Sequence, residues 1–288
     1  MNDRRRVNQV TEVTKRLVET TDGLDLAVYE RGPADAPTVV LVHGYPDNHS
    51  VWDGVAQVLA ERFHVVAYDV RGTGESGVPD STAGYRLAQL SADFQAVIDA
   101  VSPDAPVHVA AHDWGSIQTW ESVTDPALDS RIATYVSISG PDLGMATTWL
   151  RERAHLGSSL RQLAHSWYVF AFQLPLLPEA MVRSGLLARF VGGGPRPTKD
   201  QVNGVELYRA NFLGKLLRPQ PRSTKVPVLV IAPRGDDYVT VPLQTEAPRA
   251  YATSLVTQVI DGGHWVVAAE PELVAGEIVA FIEKEGVR

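Results

Sequence analysis

The chain has 288 residues, 44% of them hydrophobic, with a formal net charge of −8 and no cysteine. That length holds one large domain or two small ones with a sizeable core. Disulfides, thiol catalysis and cysteine metal sites are excluded, and the acidic balance without a long basic run argues against a nucleic-acid or anionic-membrane partner.

The first ten residues, MNDRRRVNQV, are basic, but no apolar stretch follows them. A secretory signal is not expected, and a cytoplasmic location is. Residues 26–31 read as a strand after a turn at Thr21–Gly23, and 38–42 and 64–69 are β-branched runs. Further strands are expected at 107–111, 132–138, 226–231 and 255–260. Continuous apolar runs of this kind suit strands buried on both faces, as in a parallel sheet. Between them, Leu87, Leu90, Phe94, Val97, Ile98 and Val101 recur at helical spacing. So do Leu273, Val274, Ile278, Phe281 and Ile282, with Pro271 suited to a first turn. The alternation predicts a doubly wound α/β fold.

The alternation breaks over 142–222, a helical stretch carrying Trp149, Trp167, Tyr168 and Phe172 and interrupted by Gly192-Gly193-Gly194-Pro195. Its most apolar part, Trp167 to Leu177, contains Gln173 and Pro175 and is too short to cross a bilayer. The expected organisation is a core of 1–141 and 223–288 with a helical cap, 142–222, inserted near the carboxyl ends of the strands.

Strand 107–111 runs into His112-Asp113-Trp114-Gly115, with small residues, Ala111 and Gly115, on either side of Asp113. This has the logic of a nucleophile elbow, a sharp strand-to-helix turn that exposes its central residue. Here that residue is a carboxylate, which can act as a covalent nucleophile; the alternative is a plain helix cap. Asp236-Asp237 follows strand 226–231, and Gly262-Gly263-His264 follows strand 255–260. Nucleophile, acid and histidine thus arrive in the chain order of α/β-hydrolases. Asp237 is preferred to Asp236 as the acid. His43-Gly44-Tyr45-Pro46 occupies the loop that supplies an oxyanion-hole donor in this fold, so the backbone N–H groups of Tyr45 and Trp114 are the expected pair. The Gly-rich segment 69–76, DVRGTGES, lacks the lysine of a P-loop and the G-x-G-x-x-G spacing, and reads as a tight structural loop.

These motifs, with DYVTVP at 237–242 and GGHW at 262–265, resemble the epoxide hydrolases of the α/β-hydrolase superfamily from about residue 20 onward. Haloalkane and fluoroacetate dehalogenases share the core motifs, so a dehalogenase with the same Asp-His-Asp machinery is the alternative. The resemblance extends to two cap tyrosines that grip the epoxide oxygen. Tyr168-Val-Phe-Ala-Phe172-Gln173-Leu-Pro175 matches the first closely; Glu206-Leu207-Tyr208-Arg209 keeps only the Tyr-Arg of the second. The resemblance also implies a cis peptide before Pro46 and a small hydrophobic epoxide as substrate, with no metal or organic cofactor. The chain is similar to the hydrolase half of actinobacterial fusions with a short-chain dehydrogenase. A homodimer is left open by the sequence.

Overall fold

Strand formation follows the β-branched runs. In the computed structural model, which describes residues 12–187 and 194–286, β1 spans Thr14–Glu19, β2 Asp25–Arg31 and β3 Thr38–Val42. Helix α1 (Asp53–Leu59) leads to β4 (His64–Tyr68), and α2 (Leu87–Val101) to β5 (Val107–His112). Then come α3 (Trp114–Val123) and β6 (Ile132–Ile138). Helices α4 (Leu143–Arg151), α5 (Leu156–His165), α6 (Trp167–Ala171), α7 (Leu177–Arg183) and α8 (Thr198–Leu217) intervene before β7 (Val228–Gly235). The chain closes with α9 (Val241–Glu246), β8 (Leu255–Gly263), α10 (Val266–Ala269) and α11 (Pro271–Gly286). Gly192 and Gly193 of the expected glycine break lie outside the described residues, as does the MNDRRRVNQV segment.

The described residues form an eight-stranded sheet in the order β1-β2-β4-β3-β5-β6-β7-β8. It is antiparallel only where β2 pairs with β1 and with β4. Every residue of β3 and β4 is buried. Side chains alternate across the pleat: Val40, Val42, Val66 and Tyr68 pack with the α2 side, while Val39, Leu41, Val65 and Ala67 pack with α1 and α11. This two-sided burial is why the central strands read as unbroken apolar runs.

Two strand expectations need adjustment. Strand β1 was not anticipated: only Val18 of its six residues is buried, so it carries no apolar alternation. Strand β7 starts at Val228 rather than 226, because Pro227 has no N–H to give the ladder. Strands β7 and β8 run past the expected ends and pair Gly235 with Gly263, which brings Asp236 and His264 to one sheet edge.

Candidate active site

Asp113 sits between β5 and α3 at φ 53°, ψ −124°, a left-handed conformation that strains an L-residue. The turn is tight enough that a Cβ on Gly115 would lie 2.3 Å from the Val42 carbonyl oxygen and 2.4 Å from that of His43. Small neighbours are therefore a steric requirement of the elbow. The Tyr45 backbone N–H donates to Asp113 Oδ1 at 2.7 Å. The Trp114 backbone nitrogen faces the same spot, since a Cβ on Gly44 would meet Asp113 Oδ1 at 2.4 Å and Trp114 N at 2.5 Å. The Tyr45–Pro46 peptide is cis, as the resemblance implies. His43, buried in β3's exit, accepts the Val70 N–H at its Nε2 and so ties this turn to the DVRGTGES loop.

His264 is buried, with Nε2 3.5 Å from Asp113 Oδ2. Its Nδ1 lies 3.1 Å from both carboxylate oxygens of Asp236. Here the sequence expectation is corrected. Asp236, not Asp237, faces the histidine; Asp237 is exposed at the rim, and its carbonyl accepts from His165 Nδ1 at 2.6 Å. Neighbouring side chains in the turn point to opposite sides, and the turn is set by Asp236 itself. It accepts the backbone N–H groups of Tyr238 and Val239 at 2.8 and 3.0 Å. Gln244 adds a third donor at 3.3 Å.

The charges are arranged as one coupled unit. Burial alone would lower the His264 pKa, but the charge of Asp236, with hydrogen bonds and charge from Asp113, overrides it and lifts it to about 10. Burial alone would raise Asp236, yet the facing imidazolium and the donated hydrogen bonds bring it down to about 2. His112, immediately before Asp113, is held neutral by burial, at about 4, and its ring contacts the His264 carbonyl oxygen at 2.8 Å.

Tyr168 and Tyr208 stand across the cavity from Asp113. Their rings meet edge to face at 6.0 Å, and the Trp114 ring lies 4.8 Å from that of Tyr208. Burial, then the Asp113 carboxylate for Tyr168, raises both hydroxyls far above the ordinary phenol range, so they stay protonated donors. The two motif segments are stapled together. Gln173 donates to the Tyr208 carbonyl at 3.3 Å, and Arg209 donates to the carbonyls of Phe172 and Leu174 at 3.1 and 2.9 Å. The Gln and Arg beside the tyrosines thus set where the hydroxyls sit.

A cavity of about 430 Å³ is lined by Asp113, Tyr168, Tyr208, His264, Trp265 and Phe172, among others. A second, of about 90 Å³, shares Asp113, Tyr168 and Tyr208 and runs against Leu150, Val169 and Phe212. The walls are largely apolar, with the reactive groups converging between the two. Sequence reasoning missed Tyr238, whose ring lies 4.7 Å from that of His264 and 5.8 Å from that of Tyr168. It also missed Gln162, which donates to the Tyr238 carbonyl and accepts from the Thr240 backbone, both at 2.8 Å, clamping α5 to the acid loop. Tyr238 lies within the DYVTVP motif but its contact with His264 is distant in sequence, and Gln162 has no motif signal at all. Among the described residues no cluster of His, Cys, Asp or Glu could hold a metal ion.

Residues 37–271 match the alpha/beta hydrolase fold family. The chain belongs to that family. It is 34% identical over 299 aligned positions to the probable oxidoreductase EphD of Mycobacterium tuberculosis, covering 95% of this chain and 50% of that protein. It is 33% identical to epoxide hydrolase A of M. tuberculosis, over 72% of this chain and 63% of the relative. The chain therefore spans about half the length of the first of these relatives. Epoxide hydrolase A of Mycobacterium thermoresistibile superposes with a TM-score of 0.73 at 22% identity, covering 94% of this chain and 98% of that one. The epoxide hydrolase VrEH1 of Vigna radiata gives 0.73 at 22%, covering 96% and 100%. At those identities the superpositions speak for the fold. No helix among the described residues is long and apolar enough to cross a membrane.

Proposed function

We propose that this α/β-hydrolase opens epoxides to vicinal diols through an ester on Asp113, beneath a cap formed by residues 142–222. The observation that carries the proposal is that Tyr168 and Tyr208, their hydroxyls held protonated, line the same largely apolar cavity as the carboxylate on the strained elbow. An epoxide needs that pair of functions, a nucleophile at carbon and an acid at oxygen. The relatives named epoxide hydrolase support the substrate class. A dehalogenase would need halide-gripping N–H donors where this reading uses the hydroxyls of Tyr168 and Tyr208, both of which line the cavity with Asp113.

Asp113 Oδ1 is held by the Tyr45 N–H, which leaves Oδ2 to attack a ring carbon. As that carbon–oxygen bond breaks, a tyrosine proton passes to the alkoxide. The imidazolium of His264 restores it through solvent, so the ester forms together with a neutral imidazole. Esterification removes the Asp113 charge that helped hold the His264 proton, which is the change a general base requires. Neutral His264, oriented by Asp236, then takes a proton from water as it adds to the ester carbonyl. The Tyr45 and Trp114 N–H groups hold the oxyanion. Collapse expels the diol, which carries one oxygen of Asp113 and takes the proton that His264 drew from water. The Asp113 acid so formed passes its proton to His264, which restores the carboxylate and the imidazolium. No step calls for a metal or organic cofactor.

The test is intact-protein mass spectrometry after exposure to an epoxide that the wild type turns over. His264→Gln is expected to accumulate an adduct of the substrate's mass, and Asp113→Ala none. In single turnover in heavy-oxygen water, the label is expected in the Asp113 carboxylate before it appears in diol. Label in the first-turnover diol, with no adduct on His264→Gln, would sink the covalent route. Halide release from haloalkanes without diol formation from epoxides would move the assignment to a dehalogenase.

A further inference from the structure

Helices α5 and α6 run nearly end to end, and their outer face is built inside out. Leu156, Leu160 and Leu163 of α5 and Trp167 and Phe170 of α6 recur at alternating spacings of four and three along one stripe, with Leu174 in the turn that follows. All are exposed, Leu156 at 63% and Leu160 at 61%, and Leu176 just beyond reaches 77%. The residues α5 buries are instead polar, Ser159 and Gln162. A lone exposed leucine is ordinary, but a contiguous stripe of this length marks a surface that another phase or molecule covers.

Two observations identify what covers it. The whole-chain charge, which speaks against an anionic surface, is divided unevenly. Residues 142–222 hold 11 Lys and Arg against five Asp and Glu, while the full chain holds 26 against 34. Arg153 and Arg161, exposed on the same stretch as the leucines, belong to this basic region. The stripe is also continuous with the cavity walls: Trp167 lines the larger cavity, and Leu163 and Phe170 line the smaller. A second copy seated on this face would set one basic cap against another, which two-fold symmetry makes unavoidable. A fluid apolar phase beneath anionic headgroups satisfies both the leucines and the arginines.

We propose that the α5–α6 face docks on an anionic lipid surface, and that the substrate class is an apolar-chain epoxide drawn from that surface into the cavity. The docking stands on the stripe and the charge; the epoxide rests on the function proposed above. The two fail separately in the following experiment. The full chain is sedimented with phosphatidylcholine vesicles, with and without phosphatidylglycerol, at low and high salt. The expected result is binding that requires phosphatidylglycerol and weakens with salt. The double substitution Leu156→Glu, Leu160→Glu should reduce partitioning by about tenfold or more. Neither leucine lines a cavity, so turnover of a short water-soluble epoxide should match the wild type. Equal binding by the double variant, or no binding by the wild type, overturns the docking. So does a wild-type dimer that the double variant dissolves without any vesicle binding, which would give the face to a second copy. Vesicle binding without turnover of any epoxide would retain the docking and remove the epoxide.

Discussion

Asp236 and Asp237 are adjacent, yet the structure gives them different tasks. Asp236 is buried against His264 with three donors on its carboxylate, while Asp237 is exposed at the cavity rim. Asp236→Asn is expected to lower kcat by roughly 10²–10⁴-fold, because the amide cannot hold the imidazole as the carboxylate does. Asp237→Asn should stay within a few-fold of wild type, and parallel steady-state measurements on the two variants decide between them. The pair also shapes stability against pH. Asp236 is lowered to about 2, so its stabilisation is present above the ordinary carboxylate range and lost as pH falls toward 2. His264 is raised to about 10, so its share is present below the ordinary histidine range and lost as pH rises toward 10. Both describe one interaction. Thermal unfolding across pH should show the wild type's advantage over Asp236→Asn shrinking at both ends, and a constant difference would contradict the coupling.

Helix α8 carries Tyr208 and is fixed at its start by Asp200. That buried carboxylate accepts the Gly74 N–H at 3.0 Å and the Asn48 side chain at 3.1 Å, joining α8 to the loops that follow β4 and β3. It also sits in the first turn, where a negative charge meets the positive end of the helix dipole. Asp200→Ala leaves those donors unsatisfied and should cost about 1–3 kcal/mol. The loss should be local: hydrogen exchange is expected to rise in the first turns of α8 and in the 69–76 loop, with β5 and β6 unchanged. Farther on, Arg196 reaches Asp47 at 2.6 Å and stacks 4.7 Å over Trp265, whose indole donates to the same carboxylate at 2.8 Å. The chain entering α8 is thus held beside His264 as well as beside the loop that follows β4.

Across the whole molecule, the segment 69–76 ties the sheet to both α2 and α8. Arg71, with a fully buried side chain, pairs through two nitrogens with Asp93 of α2 and through two with Asp22. Breaking such a buried pair from one side leaves an uncompensated charge. Arg71→Met is expected to cost about 3–5 kcal/mol in denaturant unfolding, with activity per folded molecule retained. Adding Asp93→Leu should recover much of that loss; a double variant no more stable than Arg71→Met would mean that the loss comes from packing rather than from the stranded carboxylate.

The sequence by itself determined the strand order's chemistry: an elbow at Asp113, a Gly-Gly-His turn at His264, and two tyrosine motifs in the intervening helices. Those features are local, because a tight turn admits only small neighbours and a doubly buried strand admits only apolar ones. Strand β1 was illegible because both its faces are largely exposed, with Val18 alone buried, and alternation needs one buried face. The choice between Asp236 and Asp237 belonged to the tertiary structure, since adjacent side chains diverge and only the turn's backbone decides which one meets β8. So did the sharing of Tyr168 and Tyr208 between two cavities, and the exposure of the leucine stripe on α5 and α6. Helical spacing reports that a face exists, but which side of a helix turns toward the protein is set by what packs beneath it. In this chain that side carries Gln162 and Ser159, the reverse of what apolar periodicity alone would assign.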